Sequence, residues 1–137
     1  AIPNDPTNGG RGLLLLQRAG LLKLKDGVGM KATPKDVVDN PKHLKFKELE
    51  AAQLPRSLAD VDAAAITMNY VMSGGLDVKK QNIFLEPKDE PLAVMIIAAR
   101  NKDKDKEAYK AFVKAYQSEA VKKFIADKYK GTIEPAF

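Results

Sequence analysis

The spacing of apolar positions changes from segment to segment along the chain, and it predicts which segments coil and which extend. Residues 4–10, Asn-Asp-Pro-Thr-Asn-Gly-Gly, are turn formers, and Leu13 to Ala19 then reads as a helix capped by Thr7 or Asn8 and ended by Gly20. Four consecutive leucines, Leu13 to Leu16, cover most of a helix circumference, so burial on more than one side is expected. Thr33-Pro34-Lys35-Asp36 has the cap, the proline and the acid of a short helix start, and Leu54 to Leu58 opens another. Apolar residues at 44, 46 and 49 with charges between them predict a half-buried strand. Ala63 to Met68 predicts a central strand covered on both faces, and Ile83–Leu85 and Leu92–Ala99 predict two more. A helical turn over Asn69–Ser73 ends at Gly74-Gly75. Tyr109, Phe112, Val113 and Tyr116 form one helical stripe. Val121, Phe124 and Ile125 form a second, on a helix capped by Ser118 and stopped by Gly131. Strands alternating with helices predict an α/β fold with a largely parallel sheet.

Composition narrows the function classes. A chain of 137 residues, 45% apolar, can bury one core but not two full ones. The net charge of +5 is dispersed: in Lys102-Asp103-Lys104-Asp105-Lys106-Glu107 the signs alternate, which predicts a solvated face and no nucleic-acid surface. The absence of cysteine excludes disulfides, thiol catalysis and thiolate metal sites. No apolar run approaches the roughly 20 residues of a membrane span. His43 is the only histidine and sits in a charged turn, so neither a general base nor a His/Cys zinc site is expected. Ser57, Ser73 and Ser118 lie in capping or turn contexts. No enzyme constellation and no cofactor is predicted.

Two segments could hold a ligand. In the first, a Gly-rich turn before a helix leaves backbone N–H groups for an anion at the positive end of the dipole. Asn8 and Gly10 lie in that turn, and Gly10 lets a ligand approach the backbone; Arg11 adds a planar fork matched to a carboxylate. An ordinary capped helix with a surface arginine explains the same residues equally well. The carboxylate reading requires Arg11 to face a cavity and not to be neutralised by an internal acid. In the second segment, Thr67 and Asn69 stand beyond the end of the predicted central strand, where open α/β sheets bind ligands, with Tyr70 as a wall. A plain strand-to-helix turn is the competing account.

Residues 1–11, Ala-Ile-Pro-Asn-Asp-Pro-Thr-Asn-Gly-Gly-Arg, with Leu13 to Gln17, closely resemble the NlpA-like methionine-binding lipoproteins. So do residues 22–29, Asn40-Pro41-Lys42, the stretch from Leu49 to Leu58, and Gln117-Ser118-Glu119 through Gly131. The resemblance implies the solute-binding protein of an ABC importer, which takes up methionine or a related small amino acid or peptide and transforms nothing. It implies periplasmic or cell-surface placement with a lipid anchor, and an ABC permease as partner. The implied fold is one lobe of a type II periplasmic-binding-protein (Venus-flytrap) architecture, residues 1–90. Residues 91–137 then supply the return strand and C-terminal helices of the other lobe.

The resemblance gives Arg11 the ligand carboxylate, with Asn8 nearby. It also marks departures: Thr67 and Met95 stand where amide side chains are common in the family, and Asn69 lies two residues on. Family members carry roughly 100 further residues before the counterpart of Ala1, a length typical of a domain. Weak or absent binding by these residues alone is therefore expected, together with self-association or a swapped assembly through the apolar stripes. The alternative is a stable interaction or antigen-like fragment that binds no ligand.

Overall fold

The computed structural model describes residues 1–87 and 94–137, which divide into two compact units, residues 1–86 and 87–137. The first unit is built around β1 (Ile2–Pro3) and α1 (Pro6–Arg18). β1 pairs in parallel with β4 (Glu48–Leu49), Ile2 opposite Glu48 and Pro3 opposite Leu49. On its other side the Ala1 ammonium donates to the Ala63 carbonyl at 2.6 Å and the Ala65 N–H donates to the Ala1 carbonyl at 2.9 Å. Those two bonds are the slanted pattern of a parallel pairing, so three extended segments run side by side with β1 in the middle.

The predicted parallel sheet is therefore present only in outline. The strand expected at 44–49 contracts to Glu48–Leu49, and residues 63–67 run beside β1 without forming a regular strand. Ile83–Leu85 forms no strand, with Ile83 85% exposed. Leu92 and Ala93 lie outside the described residues, and 94–99 form no regular element. A strand needs a neighbour to bond, and among the described residues these segments have none.

A second pair, β2 (Lys23–Leu24) antiparallel to β3 (Val37–Asp39), closes over the end of α1. Ile2, Leu13, Leu22, Leu24 and Ala32 form the core, joined by half-buried Leu14, Leu16, Val37 and Phe46. Of the four leucines only Leu13 is fully buried, so α1 presents one deep face and two partial ones.

The capping residues of the short turn after β2 stand as the sequence predicts. Asp36 accepts both the Thr33 amide (2.9 Å) and the Thr33 hydroxyl (2.7 Å) at the predicted short turn, 34–36. These bonds, the hydroxyl's first, hold the Asp36 carboxyl below the usual carboxylate range. α2 (Leu54–Ser57) and α3 (Met68–Ser73) follow, the latter closed by Gly74-Gly75 as expected. A further turn of helix, α4 (Val78–Gln81), is capped by Asp77. His43 lies exposed in a turn.

The second unit carries α5 (Glu107–Tyr116) and α6 (Glu119–Tyr129), both as predicted, with Ser118 capping Val121 N–H. Their stripes are open: Phe112 is 58% and Phe124 55% exposed, and no apolar side chain among the described residues of this unit is buried. One residue of the alternating charge run departs from the solvated face expected for it. Asp103 is buried, bonded to Arg100 Nε and Lys106 Nζ, each at 2.7 Å. Carboxylates reach such burial only when paired, and two cations three residues away on either side supply the pairing.

Candidate functional site

The segment before the leucines is helix, not turn. Asp5 is the N-cap and Pro6 the first helical residue, so Asn8, Gly9, Gly10 and Arg11 all lie inside α1. The Asp5 carboxylate accepts the Asn8 N–H at 2.9 Å and both carboxylate oxygens accept the Asn8 amide group at 3.1 Å. Gly9 N–H is bonded to the Asp5 carbonyl at 2.8 Å. Neither Asn8 nor Thr7 is the cap, and the amides proposed for an anion are already used by the helix itself. Asp5→Ala is expected to lower stability by about 1 kcal/mol, because it removes the acceptor of an orphan first-turn donor. Urea unfolding would read this as a lower midpoint at constant slope; an unchanged midpoint would show that the cap is idle.

The glycines serve packing. A Cβ on Gly10 would lie 2.1 Å from the Met30 carbonyl oxygen, and one on Gly9 would lie 2.8 Å from the Pro3 carbonyl oxygen. Backbone approaches these positions, and no space is left there for a ligand. Gly12 likewise seats α1 on the Ala65 side chain, 3.2 Å from where its own Cβ would be. That contact fixes the helix over the segment that runs into Thr67.

Arg11 does carry a carboxylate, but an internal one. Its Nε donates to Glu86 Oε1 at 2.7 Å and to Oε2 at 3.0 Å, and Nη2 closes a second contact to Oε2. The guanidinium thus holds Glu86 side-on and bidentate. Both side chains are partly open, 28% exposed for Arg11 and 20% for Glu86. The condition that Arg11 face no internal acid is not met, and the image of an empty fork is corrected. Sequence reasoning missed Glu86 because no local pattern links residues 75 positions apart.

Thr67 is the half-buried N-cap of α3, and its carbonyl accepts the N–H groups of Tyr70 and Val71. Asn69 is exposed in the first turn. The turn-and-cap account holds for the backbone. Among the described residues the Thr67 hydroxyl and Asn69 carboxamide make no hydrogen bond, which leaves both for other partners. Met95, in the second unit, is 93% exposed. A depression of about 660 Å³ in the first unit is lined by Leu14, Gln17 and residues 22–29, and by none of the predicted site residues. Among the described residues there is no cluster able to hold a metal ion and no helix long and apolar enough to cross a membrane.

Comparison with known proteins agrees with the family expected from the sequence. The family model described as NlpA lipoprotein matches residues 1–137. The D-methionine-binding lipoprotein MetQ of Escherichia coli O157:H7 is 56% identical over 123 residues, 88% of this chain and 45% of that protein. A nutrient-binding protein from Burkholderia cenocepacia, solved bound to methionine, superposes with a TM-score of 0.85 at 46% identity, covering 99% of this chain and 57% of that one. A periplasmic substrate-binding protein of an ABC transporter from Coxiella burnetii gives 0.87 at 40% identity, covering 98% and 56%. The fold is that of periplasmic substrate-binding proteins, and the chain spans about half the length of the relatives it matches.

Proposed function

The chain belongs to the NlpA lipoprotein family, and on that premise we propose that it forms the Arg11-bearing part of an amino-acid receptor. Its ligand is methionine or a close analogue, held without chemical change and passed to an ABC permease. The observation that carries this reading is the agreement of family and fold: relatives at 56% and 46% identity are a methionine-binding lipoprotein and a protein solved with methionine bound. Placement in the periplasm on a lipid anchor follows the same relatives.

The residues fit a receptor better than an enzyme. Arg11 is a guanidinium held against Glu86 and partly open to solvent. The unbonded Thr67 hydroxyl and Asn69 carboxamide offer neutral donors and acceptors that orient a polar head group. Neither of the two segments contains a general acid–base pair or an activated nucleophile. Asn8 is bonded to the Asp5 cap and Gly10 serves packing, so the carboxylate contact is left to Arg11, which would have to share or exchange its Glu86 partner to make it.

Titration calorimetry with L- and D-methionine tests the proposal. Saturable binding in the millimolar range is expected, on the order of 4 kcal/mol, because the chain spans about half the length of its relatives. Micromolar binding would show that residues 1–137 hold a complete site. Absence of saturable binding by either enantiomer would favour the interaction-domain alternative.

A further inference from the structure

We infer that the folded chain converts Asp26 to isoaspartate at the Asp26-Gly27 bond, while Asn8-Gly9, the more reactive pair by composition, is protected by the fold. This modification is independent of the receptor reading above, and water is its only co-reactant.

Two positions in the chain place glycine directly after Asn or Asp: Asn8-Gly9 and Asp26-Gly27. With no Cβ in the way, the glycine nitrogen can reach the preceding side-chain carbonyl carbon. A succinimide then forms. The N–Cγ bond is made, and the amide proton leaves with the hydroxyl of the protonated carboxyl group as water, or, at Asn, with the side-chain amino group as ammonia. Water opens the ring again. Attack at Cγ gives aspartate; attack at the main-chain carbonyl carbon breaks its bond to nitrogen, frees an α-carboxylate and leaves the chain running through Cγ. At neutral pH ammonia is lost far more readily than water, so local sequence ranks Asn8 first.

The fold reverses that order. Asn8 lies in the first turn of α1, where the Gly9 N–H donates to the Asp5 carbonyl at 2.8 Å and the Asn8 carboxamide is held by both Asp5 carboxylate oxygens at 3.1 Å. Gly9 is buried, with the Pro3 carbonyl 2.8 Å from where its Cβ would be. Ring closure there has to break these bonds and open the helix start. Asp26 and Gly27 are both exposed, in a turn where Gly27 has φ of 79° and nothing lies within 4 Å of a Cβ built on it. Among the described residues neither the Asp26 carboxylate nor the Gly27 N–H has a hydrogen-bond partner. Reacting groups and solvent therefore meet without any unfolding.

The altered link also reaches α1. It adds one carbon to the main chain in a segment held at both ends: the Lys25 N–H donates to the Asp36 carbonyl at 2.8 Å, and beyond the turn the Met30 carbonyl presses on Gly10. The extra length has to be taken up by the turn at 29–31, which loosens its contact with the helix.

The test incubates the 137-residue chain for weeks at neutral pH, folded and in guanidinium. The linkage at 26 is read by electron-transfer fragmentation and by a protease that cuts before aspartate but not before isoaspartate; deamidation at Asn8 is read by mass. Isoaspartate at 26 is expected to accumulate in the folded chain within about threefold of its rate in the unfolded chain, and Asn8 to deamidate at least about tenfold more slowly folded than unfolded. Asp26→Glu, whose extra methylene disfavours the ring, should give no β-linked product at this position. Pulse proteolysis of the aged protein in urea should deplete the isoaspartate form from the survivors. A folded chain without isoaspartate at 26 overturns the inference, whatever the unfolded chain does, and so does Asn8 deamidating equally fast in both states. Equal survival of the two linkages overturns the coupling to α1.

Discussion

Arg11→Ala is expected to weaken methionine binding about 100-fold, which for a millimolar ligand means that saturation disappears. The basis is the loss of a bidentate, charge-assisted contact, each such bond worth roughly 1.5–3 kcal/mol. Arg11→Lys keeps the charge and gives up the planar fork, so roughly a tenfold loss is expected there. Calorimetry on the three proteins decides the matter. Wild-type affinity in the alanine variant would remove Arg11 from the site altogether, and wild-type affinity in the lysine variant would show that a point charge suffices. The alanine variant also leaves Glu86 without the guanidinium it now lies against. A loss of stability is therefore expected alongside the loss of binding, and the double variant Arg11→Ala with Glu86→Gln should recover part of it.

The second large effect is on folding. Gly10→Ala puts a methyl group 2.1 Å from the Met30 carbonyl oxygen and 2.7 Å from its carbon, a clash with backbone that no side-chain rotation relieves. Overpacking of this kind costs about 1–3 kcal/mol, occasionally more, against about 1 kcal/mol gained from alanine's better helix propensity. Because the clash is with backbone the upper end of that cost applies, and a net loss of about 2 kcal/mol is expected, on the order of 10 °C in Tm for a domain the size of residues 1–86. Thermal unfolding followed by circular dichroism reads it. A variant as stable as the parent would mean that α1 and the turn at 29–31 do not approach as closely as described.

These two residues mark what the sequence made legible and what it hid. Local chemistry was readable: Thr33 with Asp36, Ser118, Gly20 and the two C-terminal stripes all act within a few residues of themselves, and all stand where their pattern placed them. The start of α1 was readable too, since Asp5-Pro6 is a cap followed by a first-turn proline. Two glycines and two asparagines outweighed that signal, because their turn preference is strong in isolation. In the folded chain Gly9 and Gly10 are there for close approach of Pro3 and Met30, a tertiary demand with no local signature. The strands failed for a related reason: Ile83–Leu85 and residues 94–99 have the apolar content of strands, but pairing depends on a neighbour. Glu86 was illegible altogether. Its contact with Arg11 spans 75 residues, and it follows a segment read only as a short strand, Ile83–Leu85.

The internal hydrogen bonding of α1 has a consequence for how the proposed site can change. A site made of main-chain amides is nearly immune to substitution, since nineteen of the twenty amino acids supply the same N–H. Here the Asn8 and Gly9 amides are taken up by Asp5, and under the proposed function the grip on an acidic head group falls to the Arg11 side chain. On that proposal one codon decides the polarity of what is captured. Such a receptor diversifies by point mutation on an unchanged scaffold, without any rebuilding of loops.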